Sequence, residues 1–389
     1  MIKARIAVFL FTVIILAIFG SIAILYARGY RLGLREEKIS ISTRGLLVIN
    51  SDPTGAQVFV DNELKTATNN TISLIPGTYN IQVKKEGFLP WEKLITIEKE
   101  TVTQIDAFLV QLAPSLTALT FSGAFSPTLS PDFSKISYGV PTNSDNEEKA
   151  GLWVLETVNL PLGFNKDARR ITDGNLLESS WEWSPDGREI LLTTKNGVFL
   201  LDTSIFTPQT QRVNVASRVE EIRKEWDAEL AKRETSKLTQ LPDEIEKVFK
   251  QHATNIKFSP DENRILYTAE SQASIPTGLV KPLPGSSTQA ESRNLKEGAS
   301  YVYDIKEDKN FLVGNPGENL SWLSNSLNLL LPSEDKISIL DYDGTNKQVV
   351  FTGNYEYPHA YPSTSSNRIL LLTNFGGESV PNLYWLSLK

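Results

Sequence analysis

The sequence predicts an all-β protein: an N-terminal transmembrane helix, a small β-sandwich, then a β-propeller of about five blades with a helical insertion. Three observations carry that expectation. A turn followed at once by an apolar strand recurs along the last two-thirds of the chain. A run of short alternating strands precedes it. A nearly unbroken apolar stretch opens the chain.

The recurring unit is clearest at Trp183-Ser184-Pro185-Asp186-Gly187-Arg188-Glu189-Ile190-Leu191-Leu192. Proline presets φ at the first corner, aspartate hydrogen-bonds its own backbone, and glycine accepts positive φ. The unit returns as Ser130-Pro131-Asp132 before Ile136, and as Ser259-Pro260-Asp261 before Ile265. Weaker copies are Trp322-Leu323-Ser324-Asn325-Ser326 before Leu329, and Ser363 to Asn367 before Ile369. Recurrence every ~40 to 50 residues is the signature of a propeller. Each copy has a middle strand, such as Gly197 to Asp202 or Ile337 to Asp341. Most have a closing strand that runs into a turn, such as Arg170-Ile171-Thr172-Asp173-Gly174. Leu116 to Phe121 has the character of a closing strand with no repeat before it, and the last repeat ends at Lys389 without one. The economical expectation is ring closure, with Leu116–Phe121 beside Leu383–Leu386. The segment Ile339-Leu340-Asp341-Tyr342-Asp343-Gly344-Thr345-Asn346-Lys347-Gln348-Val349-Val350, taken with the Ser-Pro-Asp-Gly turns, resembles the repeats of TolB-type (WD40-like) propellers. That resemblance is specific for fold and nearly silent about function.

The apolar stretch runs from Ile6 to Ala27 without a charge. About 20 apolar residues suffice for a helix to span a bilayer. A cleaved signal peptide is the alternative, but its apolar core is ~7–15 residues with a small-residue exit. This run is longer and has no good Ala-x-Ala exit, so an uncleaved anchor is expected. Lys3 and Arg5 precede it, and Arg28, Arg31, Arg35 and Lys38 follow. Read literally, the positive-inside rule favours a cytoplasmic C-terminus. Long domains translocate largely regardless of charge, and an extracytoplasmic bulk is expected.

The domain reading is anchor and linker over 1–39, sandwich over 40–112, and propeller over 113–389. Within the sandwich, Leu46 to Ser51 reads as a strand, Asp52-Pro53-Thr54-Gly55-Ala56 as a turn, and Gln57 to Asp61 as the next strand. Leu74-Ile75-Pro76-Gly77-Thr78-Tyr79 and Glu86-Gly87-Phe88-Leu89-Pro90-Trp91 are further turns between alternating strands. The residues Ser51-x-Pro53-x-Gly55-Ala56-x-Val58-x-Val60-Asp61, Leu74-x-Pro76-Gly77-x-Tyr79 and Lys85-x-Gly87-Phe88 closely resemble a PEGA domain. The loop Ala67 to Thr71 departs from that family's usual Gly-x-Thr-Pro. The resemblance implies a bacterial envelope or surface-layer module without known catalytic residues.

Two insertions interrupt the repeats. Over 217–253, Ser217-Arg218-Val219-Glu220 reads as a capping box. Val219, Ile222, Trp226 and Leu230 follow at helical spacing. Pro242 opens a second helix with Ile245, Val248 and Phe249 on one face. A hairpin packed on the flank, or a partner-binding arm, fits this pattern. Over 271–297, Pro, Ser and Gly dominate, and a mobile loop is expected.

The 389 residues carry a net charge of −7 and no cysteine. The acidic balance argues against nucleic acid, which needs a basic face. The missing thiols exclude disulfides, thiolate catalysis and cysteine-held metals. His252 and His359 are the only histidines. No nucleophile elbow, Walker loop, dinucleotide fingerprint or zinc helix is present. Asp341-Tyr342-Asp343-Gly344 resembles the start of a calcium loop but lacks its downstream ligands. No cofactor or metal is expected.

Registering the repeats on their turns aligns Ser126, Ser180, Asn255, Asn319 and His359. Two residues later stand Thr128, Glu182, Lys257, Ser321 and Tyr361, with apolar residues between. Period-two alternation describes a half-solvated strand, so the polar set can line a channel. The candidate channel or mouth residues are Ser126, Ser180, Glu182, Asn255, Lys257, Asn319, His359 and Tyr361, helped by Tyr355 and Tyr357. The expected function is a non-enzymatic, membrane-anchored extracytoplasmic binding or scaffolding protein, its partner an envelope protein or a cell-wall or surface polymer. The alternative is an envelope enzyme acting on glycans or peptides from the propeller mouth, with Glu182 and Glu178 as the general acid/base candidates.

Overall fold

The computed structural model describes residues 2–27, 31–35, 38–142, 147–158, 167–374 and 380–389, with side chains over 9–24 and from 43 onward. Two compact units emerge: residues 1–109 with 281–289, and 110–280 with 290–389.

The N-terminal helix α1 is Ile2–Ala27. Among the described residues no helix is long and apolar enough to cross a membrane. The expected single-pass span, and the localisation built on it, are therefore corrected. The cations Lys3, Arg5, Arg28, Arg31, Arg35 and Lys38, on which orientation rested, lie outside the described side chains.

The first unit holds a sandwich of two sheets. The three-stranded sheet runs in the order Asn70–Leu74, Gly45–Asp52, Val102–Phe108. The four-stranded sheet runs Glu63–Ala67, Gln57–Val60, Gly77–Lys84, Trp91–Ile97. Alternation does the folding: Leu47, Ile49, Val58, Ile81, Val83, Trp91, Ile95 and Ile97 turn inward into one core. Gly45–Asp52 and Val102–Phe108 pair in parallel, Leu46 opposite Val102 and Ser51 opposite Ala107. In the loop that departs from the family pattern, the buried Thr68 hydroxyl accepts from Ala56 N at 2.9 Å and shares a hydrogen bond with Ser51 Oγ at 2.7 Å. Segment 281–289 lies on this unit's strand edges. Gln289 Nε2 donates to Leu94 O at 2.6 Å, and Thr96 N donates to Thr288 Oγ1 at 3.1 Å. Those contacts occupy edge groups that would otherwise invite another strand. Gly285 has φ +75°, and a Cβ there would stand 2.0 Å from Val102 O. Only glycine permits that approach.

Among the described residues the second unit contains five antiparallel sheets of three or four strands and one two-stranded sheet, Ala273–Ser274 with Asn294–Leu295. The first is Phe125–Leu129, Lys135–Val140, Gly151–Glu156 and Arg169–Asp173. The second is Ser180–Trp183, Glu189–Thr194 and Gly197–Asp202. The third is Ala253–Phe258, Arg264–Ala269, Ser300–Asp304 and Lys309–Gly314. The fourth is Ser321–Trp322, Asn328–Ser333, Lys336–Asp341 and Gln348–Thr352. The fifth is Ala360–Pro362, Arg368–Thr373 and Asn382–Ser387, joined by Ser115–Ala118. Leu116 pairs with Leu386 and Thr117 with Trp385. The fifth sheet's fourth strand is thus supplied from before the first repeat.

The closed propeller of about five blades is nonetheless not found, and the fold class is corrected to mostly β with a helical insertion. Two departures give the physical reason. The second sheet has three strands, and where a fourth would lie there is only an isolated bridge between Phe199 and Asn214. The chain is spent instead on helices α2, Val219–Leu238, and α3, Asp243–His252. One face of the third sheet, with Ile265, Tyr267, Tyr301 and Tyr303, packs against Leu238, Leu241, Ile245 and Phe249 of this insertion. A neighbouring blade would cover that face in a regular ring. The opposite face, with Leu266, Val302 and Phe311, meets Trp322, Leu329 and Leu331 of the fourth sheet.

The insertion also corrects a local reading. The residue capping α2 is Arg218, without a side-chain hydrogen bond, so Ser217 closes no capping box. Of the apolar series, Ile222 is buried whereas Leu230 is exposed. Leu238, at the helix end, carries the packing.

The Ser-Pro-Asp turns form as their chemistry requires. Ser184 Oγ donates to Asp186 Oδ1 at 2.7 Å, and Glu189 N donates to Ser184 Oγ at 2.9 Å. Gly187 has φ +66°, and its counterparts Phe133, Glu262 and Ser326 have φ of 59°, 59° and 60°. The hydrogen-bonded turn imposes the left-handed corner even where no glycine stands.

Candidate functional site

Each sheet of the second unit begins with a short strand, and three such strands donate hydrogen bonds to another. Trp183 Nε1 reaches Thr128 O at 3.0 Å, Trp322 Nε1 reaches Lys257 O at 2.9 Å, and Tyr361 Oη reaches Pro127 O at 2.6 Å. Ser126, Ser180, Glu182, Asn255, Lys257 and Tyr361 stand on strands stitched in two groups, the second and fifth sheets to the first and the fourth to the third, while Asn319 and His359 lie just before the first strands of the fourth and fifth sheets. Their fates differ.

Asn255, Lys257 and Asn319 come together. They line a cleft of about 290 Å³ with Leu266, Tyr267, Thr268, Gly298, Ser300, Gly317, Glu318 and Leu320. The third sheet's first strand is bulged here, its register shifting between Thr254 and Lys257. Asn255 sits at the bulge with φ +52°. Asparagine is among the few residues that tolerate this region, and bulges re-aim side chains beside functional sites. Lys257 Nζ donates to Leu320 O at 3.3 Å. Its side chain is reached through the open mouth, yet the surrounding protein desolvates the ammonium and pushes its pKa below the ordinary lysine value. Ser126 occupies the matching bulge of the first sheet, with φ +44°, and is exposed.

Ser180 and Glu182 lie elsewhere, on a regular ladder where Ser180 faces Thr193 and Glu182 faces Leu191. Arg223 of α2 reaches Glu182 with an Nη2–Oε1 distance of 2.8 Å. Glu178 pairs with Lys195. Glu178 and Lys195, but not Ser180 or Glu182, line a separate cleft of about 460 Å³ with Asn175, Asn196, Phe199, Gln209 and Arg212. There Arg212 lies 5.6 Å from the Phe199 ring centroid, and burial lowers its pKa. The two acid/base candidates are thus exposed and each engaged by a cation.

His359 and Tyr361 form a short chain: His359 Nδ1 lies 2.7 Å from Tyr361 Oη, whose proton goes to Pro127 O. His359 therefore donates through Nδ1 and leaves Nε2 as an acceptor. Burial pushes its pKa down and favours the neutral ring, against an opposing pull from Glu356. Burial pushes the Tyr361 phenol up. Tyr355 is buried and donates to Ser333 O, whereas Tyr357 is exposed.

Sequence registration missed Thr268, Ser300 and Glu318. Thr268 and Ser300 face each other across two later strands of the third sheet, where no turn motif marks them. Glu318 stands one residue before Asn319 in the registered series, at a loop position the period-two pattern skips. The Asp341–Gly344 stretch is a repeat turn: Asp343 Oδ1 accepts from Thr345 N at 3.2 Å and from its hydroxyl at 2.6 Å. Among the described residues no group of three or more His, Asp or Glu side chains is placed to share a metal ion.

Residues 44–113 match the PEGA domain family. No curated protein is detectably similar in sequence. Solved structures that resemble the chain include TolB from Acinetobacter baumannii, at 14% identity and TM-score 0.22, covering 89% of this chain and 64% of that one. The chain thus spans less than two thirds of that protein's length. Oligogalacturonate lyase from Vibrio parahaemolyticus is 10% identical, with TM-score 0.28, covering 90% of this chain and 99% of that one. The β-propeller domain of the Trilobed protease from Pyrococcus furiosus is 14% identical, with TM-score 0.19, covering 88% of this chain and 83% of that one. Likenesses this distant say nothing about activity. The chain carries a PEGA domain at residues 44–113, followed by sheets whose structural neighbours are TolB-type and other β-propellers.

Proposed function

We propose that the chain is a non-enzymatic binding protein that holds an envelope protein or a cell-wall or surface polymer through the cleft at Asn255, Lys257 and Asn319. One observation carries this reading. Three polar residues picked out by the repeat register converge in that cleft, at a bulge that holds Asn255 in a left-handed conformation. Polar groups converging in a concave site on a rigid sheet are what recognition needs. The PEGA sandwich fits the scaffolding part of the role. Arg223 and Lys195 pair with Glu182 and Glu178, the two acids of the enzymatic alternative, which supports the binding reading over it.

A photo-reactive residue at position 319, in the full chain incubated with envelope extract, tests the proposal. The expected result is one dominant adduct that is lost when Asn255→Ala is added, with no turnover of glycans or peptides by the same preparation. Turnover that falls with Glu182→Gln would overturn it.

A further inference from the structure

We infer that the cleft at Asn255, Lys257 and Asn319 takes a sugar acid: its carboxylate pairs with the Lys257 ammonium, and Asn255, Asn319 and Thr268 take its hydroxyls. The inference rests on the binding reading above and names its ligand.

Lys257 Nζ has three protons to donate, and the contact it makes is the carbonyl of Leu320 at 3.3 Å. Among the described residues no carboxylate forms an ion pair with it. The acid that lines the cleft is committed elsewhere: Glu318 Oε2 accepts from Asn315 N at 2.7 Å, and its Oε1 lies 3.8 Å from Lys347 Nζ. Lys257 is exposed at the cleft mouth, so its ammonium can be reached by an anion while the surrounding protein strips part of its water. An incoming carboxylate can pair with it through a charge-assisted hydrogen bond. The lowered pKa of Lys257 has the same cause, desolvation by its surroundings.

The rim argues for a polyhydroxylated ligand. Two carboxamides, each both donor and acceptor, stand with the Thr268 and Ser300 hydroxyls around the cleft. The large apolar residues beside them, Leu266, Tyr267 and Leu320, are buried and committed to the core. Tyr267 Oη is held by Asn310 Oδ1 at 2.9 Å. An apolar side chain of a peptide would find no matching surface, whereas vicinal hydroxyls would find paired donors and acceptors. At about 290 Å³, the cleft stands at the low end of the roughly 300–1,000 Å³ of small-molecule sites, which suits one or two sugar residues.

The backbone is preorganised for this. The bulge fixes Asn255 at φ +52° before any ligand arrives, a conformation that is kept when its surroundings over-determine it.

Isothermal titration of the full-length chain with D-glucuronate tests the inference, with D-glucose and acetate as controls. Glucuronate is expected to bind at least about tenfold more tightly than either, the scale of one charge-assisted hydrogen bond. Lys257→Met should lose about tenfold or more for glucuronate and nothing for glucose, and Lys257→Arg should recover part of the loss. Equal affinity for glucuronate and glucose, or wild-type affinity in Lys257→Met, would overturn it. If Lys257→Met does not fold, Asn319→Ala on the exposed rim serves instead, with a several-fold loss expected and an unchanged affinity contradicting. An adduct at position 319 that forms undiminished under saturating glucuronate, with no glucuronate heat, sinks the sugar-acid assignment and leaves the binding reading standing. Loss of both adduct and heat sinks both.

Discussion

The second and third sheets begin with strands that the repeat register treats as equivalents, yet they end in opposite chemistry. In the second, Ser180–Trp183 pairs on a regular ladder, and Arg223 reaches down from α2 to neutralise Glu182 at 2.8 Å. In the third, the strand bulges at Asn255, and Lys257 faces a cleft without a carboxylate partner among the described residues. The repeat supplies a position, and what surrounds it decides whether that position is satisfied within the chain or left for a ligand. One bulge and one helical insertion make the difference.

Breaking the cover of the third sheet should cost most. Phe249 is fully buried, edge-on to Tyr267 at 4.7 Å and to Tyr303 at 5.9 Å between ring centroids. Phe249→Ala should lose about 3–5 kcal/mol of stability, the usual range for a buried phenylalanine, read by urea unfolding. Phe199→Ala in the second sheet, where the ring is only half-buried, should lose clearly less. Equal losses would mean that the helices are not the third sheet's packing partner.

The bulge sharpens the comparison next. Asn255→Val forces a β-branched residue into the left-handed region and should cost about 1–2 kcal/mol, whereas Asn255→Gly should be close to neutral. Thermal midpoints separate the two, and equal midpoints would remove the backbone argument. Ser180, on the regular ladder, should tolerate valine with no comparable loss.

Releasing Glu182 has a smaller effect. Arg223→Ala removes an ion pair whose partners are both more than a third exposed, and such pairs contribute about 0–1 kcal/mol. A loss well above that in chemical unfolding would show that α2 is anchored through this pair rather than through Leu238.

The mildest expectation concerns acid. Asp186 is held below the usual carboxylate range, first by the Ser184 hydroxyl and also by the Arg188 backbone and charge. Asp261 is also lowered: burial raises it, and hydrogen bonds from Ser259 and Asn263 outweigh that. A depressed folded-state pKa stabilises the fold above the unfolded value of roughly 3.9, and that contribution is lost as pH falls through the folded value. Stability should therefore fall below about pH 4, and Asp186→Asn should flatten part of that fall in unfolding curves taken between neutral and acid pH. An unchanged acid limb would show that the turn aspartates are not responsible.

Much of the strand content was legible because its signals are local. Val58 and Val60 are buried between the exposed Gln57 and Asp61, and Ser184, Asp186 and Gly187 specify their own turn. The parallel pairing of Gly45–Asp52 with Val102–Phe108 was not legible, because alternation carries no direction. Nor was the loss of the second sheet's fourth strand, since Asn214 looks like any loop asparagine. The insertion's packing was misread through Leu230: an apolar stripe does not say which end of a helix meets a core, and Leu238 does that here. The apolar N-terminal run was overread as a membrane span from composition alone. For the candidate site, registration placed Asn255 and Asn319 at equivalent positions with Lys257 two residues beyond Asn255, and the three line one cleft. It could not separate them from Glu182, whose partner Arg223 comes from outside the repeat.

The most direct test of the central claim compares the two sheets in one experiment. Full-length chains carrying Asn255→Ala with Asn319→Ala, or Ser180→Ala with Glu182→Ala, are matched for thermal midpoint and assayed for capture of envelope components against the unaltered protein. The account predicts that the first pair abolishes capture and the second leaves it unchanged. Capture that survives the first pair, or is lost with the second, would contradict it.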